Sequence, residues 1–226
     1  MINGVLNINK PKGLTSHNVT KIVRKVLGCK AGHAGTLDPG AEGVLPVCCG
    51  TATKQADYLG DEKIYRADIR LGIVTDTEDM DGKVIESNTV RIERDMLEAV
   101  IKGFVGIISQ TPPMYSAVKQ NGVPLYKLAR QGKVVERKPR SVTINSIDIV
   151  DYDDEKHIAT LVIHCGKGTY VRTLCADIGK ALGCGACMGN LVRLRSGRFF
   201  IENAITLEEL RQRALDGTIG EVLTNV

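Results

Sequence analysis

The chain has 226 residues, 43% hydrophobic and 25% charged, values that allow a substantial core and exclude a disordered or fibrous protein. Its net charge of +4 is too mild to announce a nucleic-acid partner by sum, so the distribution of charge matters more. No apolar run approaches bilayer-spanning length, and seven cysteines, an odd number with no signal peptide, point to reduced thiols in a soluble, cytoplasmic protein.

Residues 4 to 9 alternate apolar and polar side chains, as a half-buried strand does. Lys10, Pro11 and Gly13 break it, Thr15 or Ser16 caps a helix carrying Val19, Ile22, Val23 and Val26, and Gly28 ends that helix. Gly32 to Gly50 follows. It holds five glycines, with Asp38 and Pro39 near its centre, and no helical or strand period fits residues 32 to 42. Such glycine density predicts tight turns. Val44 to Cys49 then reads as a buried strand. A single carboxylate on a constrained loop against an apolar strand is a way to aim a catalytic acid. The plainer alternative is a turn that Asp38 caps for itself.

Lys63 to Gly72 is an alternating strand, with Ile64, Arg66, Asp68 and Arg70 on one face and Tyr65, Ala67, Ile69 and Leu71 on the other. Residues 75 to 82 form an acidic turn. Asp76, Glu78, Asp79 and Asp81 miss the calcium-loop spacing, so a solvated loop with Asx-type turns is expected. Residues 89 to 104 carry the apolar spacing of an amphipathic helix. An extended, proline-fixed segment from Gln110 to Lys119 leads into residues 119 to 140, which hold seven basic residues against one acid, Glu136. That stretch is the most polarised of the chain and reads as a phosphate-tracking insertion with a short helix around 124 to 131. Lys127, Arg130 and Lys133 are its candidate RNA contacts.

Residues 142 to 150 and 157 to 165 predict a β-hairpin with an acidic tip. A helix bearing Val171, Leu174, Ile178 and Leu182 follows, then a strand from Leu191 to Arg195 continuing through 199 to 201, and a last helix opened by Thr206 and Glu209. Cys184 and Cys187 have zinc-knuckle spacing without a second pair of ligands, so buried structural thiols are expected. The elements together predict one α+β domain, residues 1 to 226, around a mixed sheet, with 119 to 140 inserted into it.

Several separated motifs, in order, give this chain a resemblance to the bacterial tRNA pseudouridine-55 synthases. Lys10, Pro11, Gly13, Thr15 and Ser16 match the N-terminal KPxGxTS motif. Gly32, His33, Gly35, Thr36, Leu37, Asp38 and Pro39 match the catalytic loop, whose aspartate is the essential carboxylate. Lys63 with Tyr65, Thr75 to Thr77 with Asp79 and Gly82, and Gly168, Tyr170 and Arg172 match three further motifs, and Leu191 matches a leucine beneath the target base.

The resemblance implies a mixed, mainly antiparallel sheet with helices around a central cleft. It makes the basic insertion a clamp on the T stem-loop of tRNA. It implies a protein that works as a monomer, with no protein partner, no membrane, no cofactor and no metal. Family members usually continue into a small C-terminal RNA-binding domain, for which this chain leaves no expected room.

The implied reaction breaks the N1–C1′ bond of a flipped-out uridine, turns the uracil, and joins C5 to C1′. Asp38 attacks C1′, attacks C6, or removes the 2′ proton, and the sequence leaves all three routes open. In each it must be ionised, so a nearby cation is required. Arg172 is the candidate, by a two-pronged hydrogen bond; a phosphate contact is its other role. Tyr65 is assigned to stack on the base, His33 to hold the loop or the RNA, and Tyr170 and Leu191 to wall the uracil pocket. Lys10 and Lys54 read as structural or phosphate-directed. The alternatives are a related synthase acting at guide-RNA-selected sites and a tRNA-folding chaperone with secondary catalysis.

Overall fold

The structure, a computed structural model, describes residues 2 to 225. In chain order its elements are β1 (Gly4–Lys10), α1 (Ser16–Leu27), β2 (Ala31–His33), β3 (Glu42–Cys49), a 3₁₀ segment (Gly50–Tyr58), β4 (Glu62–Leu71), β5 (Ile73–Thr75) and β6 (Val84–Ser87). Then come α2 (Arg94–Lys102), β7 (Gly106–Gln110), β8 (Lys119–Gln120), β9 (Val123–Pro124), α3 (Leu125–Ala129), β10 (Arg140–Asp153) and β11 (Ile158–Gly166). The chain ends through α4 (Val171–Ala181), β12 (Ala186–Ser196), β13 (Phe199–Phe200), α5 (Leu207–Asp216) and β14 (Leu223–Thr224). The fold is α+β, with mainly antiparallel strands and flanking helices. Its residues fall into two compact units, one of residues 1 to 66 and 190 to 226, the other of residues 67 to 189.

In the first unit β1 lies antiparallel between β14 and β3, and β3 continues to β2 on one side and, in parallel, to β12. Helix α1 starts where Thr15 accepts a hydrogen bond from the Asn18 N–H and stops at Gly28, whose φ of +60° an L side chain rarely adopts. The apolar stripe read from the sequence is the buried one: Val19 and Val23 pack with Leu6, Ile8, Leu45, Val47 and Leu210. Each such side chain taken from water contributes about 1.5–3 kcal/mol. The other face of the β1–β3 pair carries Val5, Val44 and Cys48 against Ala34, Ala52 and Phe199. Both faces of these strands are therefore covered, which is why residues 44 to 49 read as a continuous apolar run.

In the second unit the hairpin of β10 and β11 is the long scaffold, with β7 antiparallel on the far side of β10. Leu161, Ile163 and Cys165 of β11 and Leu174, Cys175 and Ile178 of α4 are fully buried. Strand β4, whose first residues belong to the first unit and whose last belong to the second, has the face expected of it, Tyr65, Ala67, Ile69 and Leu71 all being buried.

Four expectations need correction. Residues 31 to 33 form a strand, because β3 offers Val47 to Cys49 as an edge to pair with. Helix α2 begins only at Arg94, so Ile92 packs from the preceding loop. The insertion's helix is shorter than 124 to 131. The acidic turn is not simply solvated: its Asx-type contacts exist, with Thr77 Oγ1 donating to the Asp79 carboxylate and the Asp81 N–H donating to the same group. Yet Glu78 and Asp79 are half-buried, since Thr173 and Arg172 of α4 supply the groups that receive them.

Candidate active site

In the first unit the loop of residues 34 to 41 is fixed almost residue by residue. The Ala34 N–H donates to Pro46 O at 2.9 Å. The Ser16 hydroxyl accepts from the Leu37 N–H at 2.8 Å and donates to Leu37 O at 3.0 Å, so one hydroxyl satisfies both main-chain polar groups of buried Leu37. The Gly13 N–H donates to Pro39 O at 2.8 Å, and the Ala41 N–H closes a turn on Asp38 O at 3.1 Å. The KPxGxTS stretch thus has a physical reading: Gly13 and Ser16 hold the loop, and Thr15 fixes the helix on which Ser16 stands.

Two fully buried cations complete the cradle. Lys10 Nζ donates to Pro11 O at 2.9 Å, Leu14 O at 2.6 Å and Pro39 O at 3.3 Å, using all three donors of an ammonium. Burial pulls its pKa from 10.5 down to about 8, against the opposing pull of Asp38 and Glu42; Arg193 adds to the lowering. Arg193, which the sequence reading passed over, donates from Nε to Val44 O at 2.7 Å, from Nη2 to Gly35 O at 3.1 Å and from Nη1 to Thr36 O at 3.4 Å. Its backbone pairs with Gly43, where φ is +104° and a Cβ would stand 2.3 Å from Arg193 O. Only glycine allows that approach. A signal for Arg193 existed, since strand alternation puts it on the face of buried Leu191.

Asp38 itself is half-buried between buried Leu37 and exposed Pro39. His33 ends β2. Burial, then the charges of Arg193 and His17, push its imidazole below the ordinary value. Its Nδ1 is buried without a hydrogen-bond partner among the described residues. Tyr65 and Leu191, both in this unit, are buried, at 6% and 7% exposed.

The second unit holds Tyr170 and Arg172. The Arg172 side chain is 5% exposed. Nε faces the Asp79 carboxylate at 3.6 Å, Nη1 donates to Thr77 O at 3.3 Å, and Nη2 donates to Tyr115 O at 2.9 Å. Next to it, Thr173 Oγ1 donates to Glu78 Oε2 at 2.6 Å. Burial raises the pKa of both Glu78 and Asp79; Thr173 and Arg172 oppose this at Glu78, Thr77 and Arg172 at Asp79. These contacts join residues about 95 positions apart in sequence, so nothing local betrayed them.

Lys127, Arg130 and Lys133 are all exposed on and after α3, and Arg130 lies over the Tyr126 ring at 5.6 Å. Such a cationic, partly aromatic surface suits a phosphate backbone. Among the described residues no group of three His, Cys, Asp or Glu side chains is placed to hold a metal ion. Burial pushes the Cys187 thiol up to about 11 and raises that of Cys175 as well.

Among solved structures, this fold is similar to chains from two protein complexes. A chain of a Cbf5-Nop10-Gar1 complex matches with TM-score 0.75 and 34% identity over 95% of this chain and 56% of its own. One from an H/ACA RNP bound to a substrate RNA containing 2′-deoxyuridine matches with TM-score 0.70 and 31% identity, over 95% of this chain and 55% of its own. This chain therefore spans little more than half of those proteins.

Among curated proteins, the tRNA pseudouridine synthase B of Alkaliphilus oremlandii is 50% identical over 93% of this chain and 70% of its own length. That of Geobacillus thermodenitrificans is 48% identical over 98% and 76%. The model of the TruB family pseudouridylate synthase N-terminal domain matches residues 21 to 171, and that of the tRNA pseudouridylate synthase B C-terminal domain matches residues 172 to 225. The chain belongs to the TruB family of pseudouridylate synthases. The second match begins at Arg172, the second residue of α4, and runs to residue 225, so the C-terminal pattern of the family falls on residues expected to belong to the catalytic domain.

Proposed function

We propose that this pseudouridylate synthase acts on tRNA, isomerising uridine 55 in the T loop, in the cytoplasm and as a monomer. The observation that carries the proposal is the loop around Asp38, whose peptide groups are held by Ser16, Lys10, Arg193 and Gly13. A carboxylate that must meet one atom of a rotating base gains from such fixed support. The identity of about 50% to proteins named for tRNA favours tRNA over guide-selected RNA, at 31% and 34% identity.

A uridine inside a folded loop must leave its stack to be reached, at a cost of about a few kcal/mol. Stacking on Tyr65, worth roughly 1–3 kcal/mol, and phosphate contacts from Lys127, Arg130 and Lys133 offset it. Asp38 then opens the reaction at C1′, at C6 or at the 2′ proton. The N1–C1′ bond breaks, C5 bonds to C1′, and the proton on C5 is lost as N1 gains one. Nothing is oxidised and no group is imported. Arg172 is assigned the counter-ion role for the reacting carboxylate, with Tyr170 and Leu191 walling the base and His33 holding the RNA.

The test is Asp38→Asn with a T-arm hairpin. Pseudouridine formation should vanish while hairpin affinity stays within about threefold. Turnover above background in that variant refutes the assignment.

A further inference from the structure

Gln110 carries none of the expected chemistry, yet it is a polar side chain only 1% exposed. It ends β7, where its backbone pairs with Arg140 of β10, so the side chain stands on a rigid ladder. Its amide grips the main chain of Tyr170 from both sides: Nε2 donates to Tyr170 O at 3.1 Å, and Oε1 accepts from the Tyr170 N–H at 3.0 Å. Only one orientation of the amide satisfies both partners.

Tyr170 is the N-cap of α4 and has no side-chain capping bond of its own; its carbonyl also accepts the first bond of the helix, from the Leu174 N–H. Gln110 therefore fixes where α4 begins, and Arg172 is the second residue of that helix. The chain leaving Gln110 returns to the same guanidinium, since Arg172 Nη2 donates to Tyr115 O. Between and beyond these points, Arg137 Nη1 donates to Pro112 O, and the Tyr126 and Leu125 N–H groups donate to Ser116 O and Val118 O. Residues 110 to 118 thus form a strap tied at one end to the start of α4 and at the other to the basic insertion.

We propose that Gln110 is a positioning residue for uridine isomerisation, acting through the Tyr170 backbone to set the Arg172 guanidinium. The strap makes that guanidinium and the RNA-holding insertion one mechanical piece. The inference rests on the reading that this chain isomerises uridine with the help of Arg172.

Two variants test it, Gln110→Glu and Gln110→Met, assayed by single-turnover pseudouridine formation on a T-arm hairpin beside the wild type, with thermal unfolding as control. A carboxylate still accepts the Tyr170 N–H but cannot donate to Tyr170 O. At neutral pH the Glu variant should therefore lose about tenfold or more in rate, with hairpin affinity within about twofold. Once protonated the carboxyl regains its donor, so its rate relative to wild type should recover as pH falls from about 8.5 to about 6. The Met variant should be slow throughout. Combined with Arg172→Lys, Gln110→Glu should cost much less than in the wild-type background, because both act at one guanidinium.

A wild-type rate in both variants, a loss without acid recovery, or additivity with Arg172→Lys overturns the proposal. If both variants lose the fold, Gln110 is structural and the proposal is wrong. If the wild type makes no pseudouridine, the function reading fails first and takes this inference with it. An active wild type beside insensitive variants refutes the inference alone.

Discussion

Lys10 offers a prediction whose sign decides between two opposed effects. The ammonium is fully buried; desolvation disfavours its charge, while Asp38 and Glu42 favour it. If desolvation wins, the pKa falls from 10.5 to about 8 in the folded protein. At about 1.4 kcal/mol per pH unit that is roughly 3 kcal/mol. Between these two values the unfolded chain binds more protons than the folded one, so stability rises with pH across the window. The cost of the buried charge is present in full below about pH 8 and is relieved as the pH approaches 10.5.

The assay compares urea unfolding of wild type and Lys10→Met from about pH 7 to about pH 10.5, because other titrating groups cancel in the difference. The wild type should gain on the variant by about 3 kcal/mol, which for a urea slope of about 1–3 kcal/mol/M moves the difference in midpoints by roughly 1–3 M. A flat difference would mean that the folded protein leaves the Lys10 pKa unchanged. A falling one would mean that Asp38 and Glu42 outweigh burial, making Lys10 a stabilising ion pair rather than a costly loop anchor.

Arg193→Met leaves the carbonyls of Gly35, Thr36 and Val44 without their cationic donor and should cost about 3–5 kcal/mol by thermal unfolding; a loss under 1 kcal/mol, estimated on the same scale as roughly one ordinary hydrogen bond, would show that the three contacts matter little. Ser16→Ala removes both bonds to Leu37 and should slow pseudouridine formation at least about tenfold with unchanged hairpin affinity, read as a fall in kcat without a rise in KM. Neutralising Lys127, Arg130 and Lys133 together should lower the slope of log affinity against log salt by about 2–3; an unchanged slope would place the RNA surface elsewhere.

What the sequence disclosed, and what it hid, follows the range of the forces involved. Helix α1 was legible because its cap at Thr15, its apolar stripe and its stop at Gly28 all act within one or two turns. The hairpin of β10 and β11 was legible for the same reason, alternation being local. Asp38 stood out because its loop fits no repeating element and matches a family's catalytic loop. Arg193 and Gln110 went unread because a buried polar side chain is explained by the carbonyls that meet it, and those arrive from distant segments. Glu78 and Asp79 were misread as solvated for that reason: four acids in eight residues look like surface until Arg172 and Thr173 are placed beside them. Strand β14, two residues long, has no period to detect.

The arginine that braces the Asp38 loop has a consequence for synthesis. Arg193 reaches Val44, Thr36 and Gly35 across sequence separations of 149, 157 and 158 residues. During translation the loop leaves the ribosome long before its brace is made, so the working shape is among the last things to form. Contacts of such high order slow folding, because the entropy of closing the intervening chain must be met before the bonds reward it. A nascent chain ending before β12 should carry the aspartate yet bind and turn over no uridine. Enzyme activity, followed during synchronised translation, should appear in one step, only once the strand bearing Arg193 has emerged.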